Sequence, residues 1–133
     1  MSIKAVIDTN VLVSAFWTSR EDAPPARILR ALLVGTVSAV INEEILSEYR
    51  EVLHRPKFAF DARDVDAVIA SIAQDGDASL PMDTVGDFPD PDDKVFYCTA
   101  LAAQAHLITG NVKHYPNSAF VVTPAQFCAL AGI

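Results

Sequence analysis

The stretch Ile3-Lys4-Ala5-Val6-Ile7-Asp8-Thr9-Asn10 decides the fold. Its apolar run is broken only by Lys4, is short enough for a strand, and is too continuous for a strand with one face in water. It therefore predicts a buried strand of a parallel sheet. The run stops at an acid, and Thr9 and Asn10 suit the cap of a short helix over Val11 to Phe16. Outward from here the alternation repeats. Pro24 and Pro25 open a helix that carries Ile28, Leu29, Leu32 and Leu33 to Gly35, and Val37 to Ile41 reads as the next strand. Asn42 then caps a helix reaching about His54, stopped by Arg55-Pro56, with Ile45, Leu46, Tyr49, Val52 and Leu53 on one stripe.

Beyond it, Asp64 to Gln74 has a helical period through Val65, Val68, Ile69 and Ile72, and Asp75 to Asp87 reads as a solvated loop of turn formers. A helix follows from Asp92 to Ala105, then strands at Leu107 to Thr109 and Phe120 to Val122, then a helix from Pro124. Strands alternating with helices predict a three-layer α/β fold, a central parallel β-sheet with helices on both faces. No internal repeat or linker interrupts it, so residues 1–133 are expected to form one domain.

Composition narrows the class. The chain has 133 residues, 51% of them hydrophobic, with 10 basic against 17 acidic side chains and a net charge of −7. That is too apolar for disorder and enough for a core. The weakly polar stretch Ala31 to Ile41 falls far short of the roughly 20 apolar residues that span a bilayer. No charged-then-apolar leader precedes the first strand, so a cytoplasmic protein is expected. Cys98 and Cys128 have neither zinc-ligand spacing nor a disulfide framework and read as small core residues. The acidity argues against a broad electrostatic grip on nucleic acid but not against acids neutralised by a bound cation.

The distribution of the acids carries the chemistry. Seven aspartates lie between Asp75 and Asp93 (Asp75, Asp77, Asp83, Asp87, Asp90, Asp92, Asp93) with no Lys or Arg among them. Asp8 ends a buried strand, at the rim where open α/β sheets form their sites. Glu48 falls at the edge of its helix's apolar stripe, while Glu44 and Glu51 lie further toward solvent. Asp93 starts a helix whose inner face carries Phe96, Ala100 and Ala103, and Asn111 follows a late strand. Each has a plain structural role as well: Asp8 as a helix cap, Glu48 as a solvated acid, Asp93 as a favourable charge at a helix start. Converging carboxylates raise one another's pKa and need a counter-ion, and hard oxygen donors suit Mg²⁺ or Mn²⁺.

Four motifs, Asp8-Thr9-Asn10-Val11, Glu44-Ile45-Leu46-Ser47-Glu48-Tyr49, Asp90-Pro91-Asp92-Asp93 and Thr109-Gly110-Asn111, resemble in order and spacing those of the PIN-domain nucleases over nearly the whole chain. Two more, Val52-Leu53-His54-Arg55-Pro56-Lys57-Phe58 and Gly110-Asn111-Val112-Lys113-His114-Tyr115-Pro116, are similar to the VapC-like toxins of toxin–antitoxin systems. The resemblance implies a PIN-like fold and a Mg²⁺- or Mn²⁺-dependent endoribonuclease, with Asp8, Glu48 and Asp93 as catalytic and metal-holding acids and Thr9 and Asn10 supporting them. It further implies an RNA substrate, a small antitoxin partner and a homodimer. The chain departs from the family pattern at Asn111, where a fourth acid is frequent, and at His114, where a further acid often lies. Whether one metal or two are bound stays open on that account, with Asn111, Asp92 and Asp90 as further candidate ligands. Arg55 and Lys57, beside His54, and Lys113 and His114 are the candidate RNA contacts, although cations near a helix end are favourable anyway.

Other enzyme classes find no support. The five glycines are scattered, so no phosphate cradle exists, and no Ser sits in a nucleophile elbow. A receiver domain would put paired acids after the first strand, where this chain has Thr9-Asn10. The remaining alternative is a catalytically inactive PIN-fold module that binds RNA or a protein partner.

Overall fold

The computed structural model describes residues 2–83, 88 and 90–133. The loop acid Asp87 lies outside the described residues. β1 (Ile3–Ile7) leads into α1 (Thr9–Trp17) and α2 (Pro24–Val34), then β2 (Val37–Ile41), α3 (Glu43–Leu53) and α4 (Ala62–Asp75). β3 (Asp77–Ala78), α5 (Asp93–Ala103), β4 (His106–Ile108), β5 (Val121–Val122) and α6 (Pro124–Ala131) complete the described elements. The strands form one parallel sheet in the order β3-β2-β1-β4-β5, flanked by helices, which is the α/β architecture expected from the sequence. Successive strands run outward from β1 to β3, and the chain then returns to lay β4 against the other side of β1. The direction of winding reverses between β1 and β4, and the carboxyl ends of those strands therefore border a crevice.

The ends of the elements follow local chemistry. Asn42 Oδ1 accepts from the Ile45 N–H at 3.0 Å and caps α3. Thr123 and Gln126 form a reciprocal capping box on α6. Gly35 ends α2 in the left-handed region at φ 87°, where a β-carbon would be strained. Cys98 and Cys128 are both buried. Among the described residues no helix is long and apolar enough to cross a membrane.

Two local expectations change. Asp8, not Thr9 or Asn10, caps α1, which begins two residues earlier than its hydrophobic pattern suggests. Asp77 and Ala78 form an edge strand inside what reads as loop, paired with Val40 and Ile41. Two residues cannot express a period of two, so only the tertiary partner reveals the strand. Gly76 permits the approach: a β-carbon there would stand 2.6 Å from the Ile72 carbonyl oxygen and 2.8 Å from that of Ala39. The apolar residues of α2 divide between core and surface. Ile28 and Leu32 are in the core, and Leu33 and Val34 are exposed.

One buried contact fixes the site's geometry to the fold. The Tyr49 hydroxyl, on α3 beside Glu48, donates to the carbonyl of Ile7 at 2.6 Å, at the last residue of β1. Burial pushes the Tyr49 pKa up, so the group stays a donor. Tyr49→Phe leaves the carbonyl unpaired in the core and is expected to cost about 1–3 kcal/mol in urea unfolding. An unchanged midpoint would mean that α3 is held to β1 by packing alone.

Candidate active site

Asp8 is the centre of the crevice. Its backbone N–H bonds the Ile108 carbonyl across to β4, and its side chain is only 5% exposed. The Thr109 hydroxyl donates to its Oδ2 at 2.8 Å and the Tyr115 hydroxyl at 2.9 Å, with the Asn10 amide at 3.4 Å. Among the described residues Oδ1 receives only the Asn10 N–H, at 3.4 Å. One oxygen is thus saturated by the fold, and the other keeps free lone pairs. Burial raises the Asp8 pKa above the usual carboxylate range, opposed by those hydrogen bonds and by His114. Asn10 also accepts from the Gly110 N–H at 3.1 Å, tying the start of α1 to the turn after β4.

Asp8, Glu48 and Asp93 line one cleft of about 290 Å³, with Asp90, Asn111 and Thr9. Three elements deliver the three acids: the end of β1, the half-buried edge of α3 and the first turn of α5. Burial, then the charge of Asp8, then that of Asp90 push the Asp93 pKa from 3.8 to about 6. Glu48 is raised by burial first and then by Asp92 and Glu51. The imidazole of His114 stands beside Asp93, its Nδ1 3.6 Å from Oδ2.

The other candidates divide. Asp90 lies in this cleft, and its side chain accepts from the Asp92 N–H at 3.0 Å. Asp92 does not share the cleft with Asp8. Exposed at the start of α5, it lines a neighbouring groove of about 790 Å³ with Glu43, Glu44 and Glu51, where Glu48 is the common wall. Arg55 reaches the cleft wall but is held by both carboxylate oxygens of Glu51 at 3.0 Å. His54 is paired with Asp66 at 2.8 Å, Lys57 stands over the Phe58 ring, and Lys113 lies outside the lining. The sequence reading missed Thr109 and Tyr115. A hydroxyl right after a late strand is a visible signal for the first. Tyr115 gives none, because its reach to Asp8 depends on the short turn Val112–His114.

Thr9 tests the fit of a cation. It is 5% exposed, and its Oγ1 is a buried polar atom with no hydrogen-bond partner among the described residues. The ligand atoms around it are almost all oxygens, and burial raises the pKa values of Asp8, Glu48 and Asp93 among them. That donor set fits a hard divalent cation. As they stand, no three His, Cys, Asp or Glu side chains among the described residues come close enough to hold a metal ion, so a cation would draw the acids inward.

The electrostatics make a prediction of definite sign. An acid whose folded-state pKa lies above its unfolded value holds its proton more tightly in the native state, so it weakens the fold as pH rises through that interval. For Asp93 the interval runs from 3.8 to about 6. In chelator, Asp93→Asn is expected to be more stable than wild type at pH 7, with the gain shrinking toward pH 4 in urea unfolding. A loss at pH 7 would mean that the charge chiefly favours the start of α5.

The PIN domain family model matches residues 4–113, a span that takes in Asp8, Glu48, Asp93 and Asn111. No curated protein and no solved structure matches the chain. The chain belongs to the PIN domain family, whose activity is in general that of a nuclease, a hydrolase of phosphodiester bonds.

Proposed function

We propose that this protein is a Mg²⁺- or Mn²⁺-dependent endoribonuclease that cuts single-stranded RNA in the cleft of Asp8, Glu48 and Asp93, and that it is the toxin of a toxin–antitoxin pair. The observation that carries the reading is that three carboxylates from β1, α3 and α5 open onto one cleft, which Thr9 also lines, its Oγ1 buried with no hydrogen-bond partner among the described residues. Asp8, Asp93 and Glu48 would hold the metal, with Thr9, Asn10 and Asn111 beside them and Asp90 at the rim. When bound, the ion supplies positive charge at the transferring phosphoryl group and acidity to the attacking water. The chain's own part is preorganisation. Thr109, Tyr115 and Asn10 orient Asp8 before substrate arrives, so little rearrangement is needed there. His114, half exposed beside Asp93, and Lys113 are within the segment that would meet the phosphates.

The resemblance to VapC-like toxins supports a small antitoxin as partner, a homodimer, one domain over residues 1–133 and a place in the cytoplasm. A short reading frame with a DNA-binding half beside the gene would support the toxin assignment. Asn111, where the family often has an acid, favours a second reading, a PIN-fold module that binds RNA or protein without cutting.

Cleavage of an end-labelled single-stranded RNA separates the two. Activity is expected with Mg²⁺ or Mn²⁺ and none with chelator, and Asp8→Asn and Asp93→Asn are each expected to lower it by about 100-fold or more. Wild-type rates in both variants would overturn the assignment, and binding without cleavage would favour the second reading. Asn111→Asp adds a charge and lone pairs at the same rim, so calorimetric titration should find tighter Mg²⁺ or Mn²⁺ binding. Unchanged affinity and stoichiometry would put Asn111 outside the coordination sphere.

A further inference from the structure

An aromatic cluster borders the cleft and has no part in the site described so far. Phe58 lines the cleft wall, and its ring lies 5.3 Å from that of Phe60 at an interplanar angle of 7°. Trp17, the last residue of α1, meets both rings edge-on, at 5.7 Å from Phe58 and 6.0 Å from Phe60. Both phenylalanines are half-buried, whereas Trp17 is 63% exposed. The backbone is bent to build the pair: Ala59, between the two rings, sits at φ 53°, in the left-handed region that an L-residue adopts at a cost. The Lys57 ammonium stands 5.1 Å from the Phe58 centroid and has no carboxylate partner among the described residues.

We infer that Trp17, braced by Phe58 and Phe60, is a stacking platform for one unpaired base of the RNA whose backbone enters the acidic cleft, with Lys57 taking an adjoining phosphate. The inference rests on the ribonuclease reading, since it assigns a subsite of that same cleft. Charge decides between occupants. At −7 overall, and with Arg55 already paired to Glu51, the protein has little field with which to draw RNA. Affinity must then come from short-range contacts, and base stacking on an aromatic face is the one that needs no net positive charge. An exposed indole, with the Lys57 ammonium over the adjoining Phe58 ring, matches a base and its phosphate, while a purely apolar partner would leave Lys57 without an anionic counterpart. Unpaired bases alone offer their faces, so the platform selects single strands over duplex.

Trp17 is the sole tryptophan, so its fluorescence reports this spot and no other. The probe is a nuclease-resistant 2′-O-methyl phosphorothioate decamer of mixed sequence, titrated in Mg²⁺ buffer. Saturable quenching is expected with the decamer and none with the same backbone lacking bases. By anisotropy of a labelled decamer, Trp17→Ala and Trp17→Leu should bind about tenfold or more weaker, and Trp17→Phe should keep most of the affinity. Because Trp17 is exposed, the variants should fold, and their melting curves check this. Wild-type affinity in Trp17→Leu, or equal quenching by the abasic strand, overturns the platform and assigns the patch to an apolar protein partner. Cleavage of unmodified RNA is measured alongside. Cleavage without base-dependent quenching overturns the platform and leaves the ribonuclease reading, and base-dependent quenching without cleavage supports the platform while overturning that reading.

Discussion

A carboxylate buried to 5% exposure must be satisfied by donors, and the way Asp8 is satisfied organises the whole site. Its partners come from two distant parts of the chain: Asn10 at the start of α1 beside it, and Thr109 at the end of β4 with Tyr115 in the turn beyond. None of these groups is charged. Neutral donors orient the acid without cancelling it, whereas an arginine in the same place would have neutralised the crevice. The parallel register of Ile7 against Ile108 sets the two strand ends level, so the same pairing that closes the sheet aims the acid. Fold and site are therefore one construction at this point, and damage to either reaches the other.

The consequence is an electrostatic load. Asp93 is pushed to about 6 by burial and by Asp8, and Glu48 is raised too, with the His114 imidazole beside Asp93. Natural sites often keep such strain because the chemistry needs it, at a cost in stability. Under the proposed ribonuclease reading the load would also govern substrate access. A cleft that repels phosphate in the absence of a cation suits a mechanism in which metal and RNA arrive as mutually dependent ligands, and it leaves recognition to contacts outside the acids. The aromatic rim at Trp17, Phe58 and Phe60 stands where such contacts are needed.

How much of this is legible in the sequence depends on the range over which each feature is determined. Asp8 and Glu48 are readable because the apolar run before the first and the 100° helical spacing around the second are local. Asp93 is readable because it opens a helix with an apolar inner face. Position alone does not say which way a side chain turns, and so Asp92, one residue earlier, looks equivalent and faces the neighbouring groove. Arg55 and His54 look like a basic cluster in one dimension, yet Glu51 and Asp66 already engage them. β3 and Tyr115 are invisible for another reason: each acquires its role from a partner more than 30 residues away in sequence, Val40 in one case and Asp8 in the other.

Thr9 shows why a residue that the fold does not use is informative. At the first position of α1 its hydroxyl caps nothing, because Asp8 already accepts from the Asn10 N–H. An alanine would serve the helix as well, and Thr at that place buries a polar atom at a cost of about 1–3 kcal/mol when it is left unpaired. The cost is removed only if something in the cleft bonds to it. Thr9 lines the same cleft as Asp8, Glu48 and Asp93, so the residues that would hold the proposed metal include a buried oxygen that the fold itself leaves unused.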